Sequence, residues 1–362
     1  MKKVLVFIGA LDQFQSKVSD DARNLTDVVM ELDKDAKTFV IKAPNYEEPG
    51  ERLLSVQHFV IYSNEYSGVR EHVVLNFANF LAKMDIEEMY LQNPPLRILD
   101  QVMHIYKDIV EIEYQKYLGI TKSVMQRINK EYSDDIVGQE NVKQEILTSL
   151  YPLMNKANNK PVVMLFYGPS GIGKTETAQF LARVMKGKLL RRQFSMYQNN
   201  EFATYLFGGG LYQGSFARDL LDRESNVILL DEFDKANPVF HSAFYQLFDE
   251  GVYEDQNYKV NVDRAIIICT SNYSSKYEIK EKLGEPIYNR FDAVIGFNAL
   301  SNESKDILID KYIGEYKKEE LPEDIEQKLR KAAVQCENAR AIKRLIKDTF
   351  SLVAVRKLLE EN

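Results

Sequence analysis

Eight consecutive residues near the middle of the chain have the types and spacing of a phosphate-binding loop. The run fits the pattern G-x-x-x-x-G-K-[ST] at every position. Its glycines allow a tight turn whose backbone N–H groups face phosphate oxygens, and the dipole of a following helix attracts the same anion. We expect Lys174 to reach the β and γ phosphates and the Thr175 hydroxyl to bind Mg²⁺. The eight residues are Gly168, Pro169, Ser170, Gly171, Ile172, Gly173, Lys174 and Thr175.

Two carboxylates and an amide follow two further apolar runs. The run 227–230 is typical of a buried strand and ends at Asp231 and Glu232. A carboxylate at this position can hold the Mg²⁺ hydration shell, and its neighbour can orient and deprotonate the attacking water. We assign Asp231 to the metal and Glu232 to the water. The run 265–269 leads to Asn272, whose amide could contact the γ-phosphate and the water.

The elements that must position these residues are parallel strands and one helix. The apolar run 161–167 before the loop suits a strand buried on both faces, and a helix is expected from about 175 to 184. Residues 1–93 show no catalytic constellation, and the whole chain before residue 130 differs in pattern. There we predict strands over 3–8, 38–42 and 58–63, and helices over 19–32, 69–84 and 96–118.

Composition limits the class of protein. The chain has 362 residues, a net charge of −7 and 45% hydrophobic residues, which is ordinary globular composition and excludes a disordered chain. Its two cysteines, Cys269 and Cys336, exclude a disulfide framework and fit a reducing compartment. No apolar run approaches the roughly 20 residues that span a bilayer. We therefore expect a cytoplasmic protein with no membrane contact and no general attraction to nucleic acid.

With these three elements in order, residues from about 133 to 362 resemble an AAA+ ATPase module, and in particular that of the Clp-type unfoldases and disaggregases. The loop 168–175 resembles the Walker A motif, and 227–232, continued by Phe233-Asp234-Lys235-Ala236, resembles the Clp-type Walker B stretch. Val137 and Gly138 lie in a segment that resembles the motif placed against the adenine. The resemblance implies ATP and Mg²⁺ as cofactors.

The resemblance also implies an α/β fold and a division of the chain. A parallel-sheet AAA+ core over 131–300 would be followed by a C-terminal α-helical lid over 301–362. Ahead of the module, the pattern of strands and helices and the interruption at Pro94-Pro95 indicate a small α/β domain over 1–93 and a helical connector over 94–130. The small domain resembles no family, and we interpret it as a recruitment or regulatory domain.

Three polar residues fall at positions where the family has catalytic side chains. Asn272 falls at the sensor-1 residue, and Arg290 at the arginine finger that acts on the neighbouring subunit's γ-phosphate. Arg340 falls at the sensor-2 arginine of the lid. The family's Gly-Ala-Arg signature here begins with Asn338 instead of glycine.

The segment 206–214 departs further from the family, because it is shorter than the aromatic pore loop of Clp-type unfoldases. Tyr212 could be a pore aromatic, or it could pack on its own subunit in a tight turn. Residues 295–297 spell a tripeptide that docks a protease ring in some relatives, but here they are expected to lie in a core strand.

The resulting hypothesis is an ATP-driven remodelling ring, expected to be a hexamer, that acts on a protein recruited by residues 1–93. The alternative is a nucleotide-controlled switch or scaffold in a defence, signalling or mobile-element system, without processive threading. A DNA-directed loader is disfavoured because no helix-turn-helix or basic stripe is evident.

Overall fold

A computed structural model describes residues 1–36, 53–155, 157–196, 201–316 and 321–360. The contacts divide the chain into two compact units. Unit 1 comprises Met1–Tyr117, Asn199–Glu224 and Val252–Asn261, and unit 2 comprises Leu118–Gln198, Ser225–Gly251 and Val262–Asn362. These units differ from the predicted division at residues 93 and 130, because unit 1 includes two segments that the prediction assigns to the AAA+ core.

The first 117 residues contain a five-stranded parallel sheet with the strand order β2-β3-β4-β1-β5. Its strands are β1 (Lys3–Ile8), β2 (Arg23–Asn24), β3 (Leu54–Ile61), β4 (Met84–Gln92) and β5 (Val110–Tyr114). The helices between them are α1 (Leu11–Gln15), α2 (Leu25–Ala36), α3 (Glu71–Leu75), α4 (Phe77–Leu81) and α5 (Leu96–Ile105).

All three helices predicted in this region are wrong in part. The helix predicted over 19–32 begins only at Leu25, because residues 23 and 24 form β2. The helix predicted over 96–118 ends at Ile105, and β5 follows, because Val110 to Tyr114 alternates apolar and acidic residues with the period of a strand. The helix predicted over 69–84 is broken at Asn76, whose φ of −125° and ψ of 39° are not helical. The strand predicted over 58–63 begins earlier, at Leu54, and the one predicted over 38–42 lies outside the described residues.

The middle of the chain, residues 118–261, alternates helices and strands. Its helices are α6 (Lys122–Asp135), α7 (Glu140–Leu150), α8 (Lys174–Val184), α9 (Glu201–Phe207), α10 (Phe216–Leu221) and α11 (Tyr245–Glu250). Its strands are β6 (Val162–Tyr167), β7 (Leu190–Gln193), β8 (Val227–Asp231), β9 (Val252–Glu254) and β10 (Lys259–Asn261), the last two forming an antiparallel hairpin.

A parallel five-stranded sheet forms the centre of unit 2, with the order β12-β6-β11-β8-β7. The two strands not yet introduced are β11 (Ile266–Thr270) and β12 (Ala293–Gly296), with helices α12 (Lys276–Leu283) and α13 (Glu285–Tyr288) between them. Ile266 pairs with both Val162 and Val227, so β6, β8 and β11 end at the same edge of the sheet. This confirms the predicted α/β fold with a parallel P-loop core.

Three helices complete unit 2: α14 (Asn302–Gly314), α15 (Glu323–Val334) and α16 (Ala339–Glu360). They pack around a separate apolar core that includes Ile309, Leu329 and Phe350. The C-terminal helical region is therefore present as predicted. None of the helices in the described part of the chain is both long enough and apolar enough to cross a membrane.

Candidate functional site

A cavity of about 950 Å³ lies at the carboxyl edge of the unit 2 sheet. It is lined by most of the residues that the sequence singles out. These are Val137, Ser170, Gly171, Ile172, Gly173, Lys174, Thr175, Asp231, Glu232, Asn272 and Arg340. Four predicted site residues do not line it, namely Gly138, Gly168, Pro169 and Arg290.

The loop between β6 and α8 depends on glycine at positions where the backbone is left-handed. Gly168 has a φ of +131°, and a Cβ there would lie 2.4 Å from the carbonyl oxygen of Phe297. Gly173 has a φ of +109° and precedes α8 directly. The turn therefore brings the free N–H groups of the first turn of α8 to the cavity, as an anion site requires.

Lys174 connects the loop to the neighbouring strand. Its Nζ donates to the carbonyl oxygens of Gly168 (2.6 Å) and Pro169 (2.7 Å) and to Oδ1 of Asn272 (3.2 Å). Burial lowers the pKa of Lys174 to about 8, against the opposing attraction of Asp231 and Asp234. The structure thus brings the predicted phosphate-binding lysine and the predicted sensor-1 amide into direct contact.

Asp231 is buried at the end of β8, and both of its carboxylate oxygens have partners. The Thr270 hydroxyl donates to Oδ1 (2.5 Å), and Arg191 of β7 pairs with Oδ2 through Nε (2.9 Å) and Nη2 (2.5 Å). The sequence reasoning missed Thr270 and Arg191. The only available signal was their place near the ends of strands that flank β8.

The donor set fits Mg²⁺, since the Thr175 hydroxyl and the Asp231 carboxylate are hard oxygen ligands that line one cavity. Within the described residues, no group of three or more His, Cys, Asp or Glu side chains could hold a metal ion. A Mg²⁺ ion in this cavity would therefore depend on few protein ligands, which is usual where phosphates supply the others.

Glu232 occupies a strained backbone position directly after β8. Its φ is +55°, a left-handed conformation that is uncommon for a residue other than glycine. Its N–H donates to Oγ1 of Thr270 (2.9 Å), and its carboxylate accepts from Nε2 of Gln193 (3.0 Å). Hydrogen bonds from Ser195 and Gln193 lower the pKa of Glu232, so the carboxylate is ionised and its direction is fixed.

The lid contributes a cluster of cations to the cavity. Arg340 lies in the first turn of α16 and lines the cavity together with Lys311, Lys343, Arg344 and Lys347. Asn338, which replaces the glycine of the signature, accepts a hydrogen bond from the N–H of Ala341 (2.9 Å). It is therefore an N-terminal cap of α16, a position that asparagine favours, and the departure leaves Arg340 in place.

The segment 136–139 closes the cavity beside the loop. Val137 lines the cavity, whereas Gly138 has a φ of +79° and lies against Ser304. Gln139 is buried, and its amide exchanges hydrogen bonds with the backbone of Asn298 (2.8 and 3.2 Å). Gly138 thus shapes the turn, and only Val137 of the two predicted residues is exposed to the cavity.

Comparison with known proteins agrees with this geometry. The family model for the AAA domain (Cdc48 subfamily) matches residues 159–332. Chaperone protein ClpB of Malacoplasma penetrans is 28% identical over 253 residues, which cover 60% of this chain and 35% of ClpB. ClpB of Wolinella succinogenes is 31% identical over 52% of this chain and 26% of its own length. A ClpA homolog protein of Fuscovulum blasticum is 32% identical over 41% of this chain and 22% of its own length.

The chain contains an AAA+ ATPase module of Clp type. It spans only about a quarter to a third of the length of the ClpB relatives that it matches. The resemblance stated from the sequence motifs is confirmed for the module, and the family model begins at residue 159, after the predicted N-terminal domain and connector.

Arg290 of the AAA+ module lies outside the cavity. Its Nε donates to Oδ2 of Asp249 (2.9 Å), its Nη1 donates to the carbonyl oxygen of Pro286 (2.7 Å), and its guanidinium lies 3.9 Å from the ring centroid of Tyr245. The side chain keeps 27% of its surface exposed. The predicted finger is therefore oriented by its own chain and is not directed into its own nucleotide cavity.

Residues 206–214 belong to unit 1, and Tyr212 is the more exposed of the two exposed aromatic residues in this segment, with 76% of its surface accessible against 50% for Phe207. The backbone around it is fixed, because the carbonyl of Gly209 accepts from Nδ2 of Asn257 (2.7 Å) and the N–H of Gly210 donates to Oε1 of Gln213 (3.0 Å). The segment thus combines a tight turn with an exposed aromatic, a combination that neither sequence interpretation anticipated.

The tripeptide at 295–297 is part of the sheet and its core. Ile295 is fully buried in β12, and Phe297 is 3% exposed with its ring 5.1 Å from that of Phe166. The prediction that this tripeptide is a core segment is confirmed.

If Lys174 binds the nucleotide phosphates as predicted, its buried position should make nucleotide binding dependent on pH. Its pKa of about 8 must rise when phosphates surround the ammonium, so binding at about pH 8.5 takes up protons. We expect calorimetric heats of ATP binding, measured on Glu232→Gln protein to prevent turnover, to vary with the ionisation enthalpy of the buffer. Lys174→Ala should weaken ATP binding by about a hundredfold or more, whereas the exposed control Lys276→Ala should not. Equal heats in all buffers would show that Lys174 is fully protonated before ATP binds.

Proposed function

We propose that this protein hydrolyses ATP between subunits of a homo-oligomeric ring and uses the cycle to remodel a partner protein. The observation that carries the catalytic part is the convergence of Lys174, Asn272, Asp231 and Glu232 on one cavity. The printed names of the Clp relatives, chaperones among them, support the remodelling part.

Each side chain has a role in this proposal. Lys174 and the N–H groups of the loop bind the phosphates, and Asn272 orients the γ-phosphate and the water. Mg²⁺, held by Thr175 and Asp231, would neutralise charge on the phosphate oxygens when it is bound. Glu232 accepts a hydrogen bond from the attacking water and takes up its proton.

The lid arginine has a separate role. Arg340 contacts the nucleotide from α16, so the angle of the lid follows the state of the nucleotide. Val137, which lines the cavity beside the loop, packs against the base. These roles match the side of the cavity on which each residue lies, loop, strand edge or lid.

Replacing Glu232 with Gln separates binding from turnover. The amide keeps the shape and the hydrogen bond with Gln193 but cannot take the proton of the water. We expect ATP affinity within about threefold of wild type and a turnover rate lower by about 10²–10⁴. The exposed control Glu281→Gln should leave both unchanged. Phosphate release at the wild-type rate by Glu232→Gln protein would contradict the assigned role.

We propose that the active form is an oligomer, a hexamer as in Clp-type proteins. This part of the proposal depends on Arg290. A planar cation that is partly exposed, fixed by Asp249 and Tyr245, and outside its own cavity is suited to reach a γ-phosphate on another subunit. Hydrolysis would then require assembly, because no single subunit holds all the catalytic groups.

Mixing two inactive variants tests this dependence. Arg290→Ala should bind ATP but hydrolyse it about a thousandfold more slowly, and Lys174→Ala should not bind it. We expect a mixture of the two to recover activity, because some interfaces join an intact Lys174 site to an intact Arg290. Exposed Arg97→Ala should hydrolyse ATP normally without mixing. Wild-type specific activity that stays constant down to monomeric concentrations would exclude the role in trans.

Tyr212 is the residue that the remodelling proposal places in contact with a substrate chain. A bulky exposed aromatic can hold an extended chain of any sequence by apolar contact. The alternative, a switch or scaffold without threading, gains support from the turn that fixes this residue. Residues 1–93 are proposed to recruit the partner in either case.

Substitution of Tyr212 distinguishes the two functions. If Tyr212 holds the substrate, Tyr212→Ala should keep basal ATPase within about twofold and lose most of the stimulation by an unfolded protein such as casein. Tyr277→Ala removes an equally exposed tyrosine from α12 and serves as the matched control. Stimulation by casein that survives Tyr212→Ala would favour the switch.

A further inference from the structure

Unit 1 has a polar site at the carboxyl end of its parallel sheet, and a segment of the same chain occupies it. Open α/β sheets commonly bind ligands outside the carboxyl ends of their strands. Here Ser63 follows β3, Asn93 follows β4 and Gln115 follows β5, and all three are buried. Each of them donates a hydrogen bond to the segment Asp222–Glu224, which directly follows α10.

The carboxylate of Asp222 accepts hydrogen bonds from two of these side chains. Nδ2 of Asn93 donates to its Oδ1 (2.7 Å), and Oγ of Ser63 donates to its Oδ2 (3.3 Å). Nε2 of Gln115 donates to the carbonyl oxygen of Glu224 (3.3 Å). Burial raises the pKa of Asp222, which agrees with a carboxyl group removed from water.

The backbone of the sheet edge is built around this contact. Asn93 is fully buried and left-handed, with a φ of +45°. Its amide also bonds both the N–H and the carbonyl oxygen of Gly9, at 2.8 and 2.9 Å. A buried asparagine with all these partners is fixed before Asp222 arrives, so the site is formed by the sheet itself.

Two further contacts attach the segment that carries Tyr212. Leu211 packs against the apolar core of the N-terminal sheet. The hairpin of β9 and β10 is bound at Asn257, whose carbonyl oxygen accepts from the N–H of Leu96 (2.8 Å) while its amide donates to Gly209 (2.7 Å). Residues that precede Tyr212 in the chain and residues that follow it are therefore both held by the N-terminal sheet.

We propose that the N-terminal sheet, which lies within the first 117 residues, holds the turn 206–214 and its Tyr212 rigidly in place. Asp222 is the positioning residue that attaches this segment to the carboxyl end of the sheet. The consequence for substrate binding rests on the proposed remodelling function. A turn that is already ordered loses little conformational entropy when it engages a substrate chain, so three consecutive glycines (Gly208 to Gly210) do not weaken its hold. The carboxyl end of this sheet is also closed to an external partner while Asp222 occupies it.

Three variants of the 362-residue chain test whether the N-terminal sheet holds the turn 206–214 in place. Asp222→Ala removes both acceptors, which takes the partner from the Ser63 hydroxyl and from one of the two N–H groups of the Asn93 amide. Asp222→Asn keeps an acceptor for Asn93 and offers its amide to the Ser63 hydroxyl, so it should rescue. Leu211→Ala weakens the same turn at a different contact. The exposed hairpin residue Glu254, replaced with alanine, is the matched control.

Two measurements are made on each variant, namely hydrogen exchange of residues 201–221 and ATPase stimulation by casein. For Asp222→Ala and Leu211→Ala we expect exchange about tenfold faster in this segment. The casein concentration for half-maximal stimulation should rise about tenfold, with basal ATPase within about twofold. Asp222→Asn and Glu254→Ala should stay within about twofold of wild type throughout.

If hydrogen exchange of residues 201–221 is unchanged in both Asp222→Ala and Leu211→Ala, the N-terminal sheet does not hold the turn in place. Faster exchange with an unchanged half-maximal concentration would overturn its role in substrate binding. If casein does not stimulate the wild-type protein, the remodelling function fails, and the exchange measurement still decides whether Asp222 locks the segment.

Discussion

The geometry of the candidate site in unit 2 depends on the backbone turn that follows β8. Glu232 is held there in a left-handed conformation, which costs about 1–3 kcal/mol for a residue with a side chain. Two contacts maintain it: the Thr270 hydroxyl accepts the N–H of Glu232, and Phe233 is fully buried on the other side. Since the same hydroxyl donates to Asp231, one threonine of β11 sets the positions of both carboxylates. Without this turn the two acidic residues would continue the strand and point to opposite faces of the sheet.

Phe233 also connects the turn with the surface that carries Arg290. Its ring lies 6.1 Å from that of Phe248 and 6.3 Å from that of Phe291, and those two rings are 5.9 Å apart. Phe248 precedes Asp249, and Phe291 follows Arg290, so each member of the surface ion pair is one residue from the cluster. Close-packed rings do not shift singly. A displacement of the Glu232 turn therefore changes the packing beneath the ion pair, which gives the subunit a physical connection between its own cavity and its proposed finger.

The sequence predicted the parts of the fold whose signals are local. The phosphate loop could be identified because its glycines and Lys174 must follow one another, and the strands could be identified because they are buried on both faces. The second half of the predicted 96–118 helix failed because Ile105, Ile109 and Ile112 also fit a helical stripe, and only pairing with β1 decides for a strand. Arg191 and Thr270 were missed because they reach Asp231 only through the order of strands in the sheet. The segment Asn199–Glu224 likewise belongs to unit 1 through contacts that are distant in sequence, and no periodicity in the segment indicates them.

The composition of unit 1 changes what the N-terminal sheet can do. A recruitment domain that is joined by one linker can be removed without effect on the rest, but unit 1 is assembled from three stretches of the chain. After Asp222 only residues 223–226 precede β8, which ends at Asp231. After the hairpin only residues 262–265 precede β11, which contains Thr270 and leads to Asn272. The chain therefore enters both strands of the candidate site directly from segments of unit 1. Loss of residues 1–93 would also remove Ser63 and Asn93, the partners of Asp222, and much of the apolar core against which Leu211 packs, so we expect its effect to extend beyond recruitment.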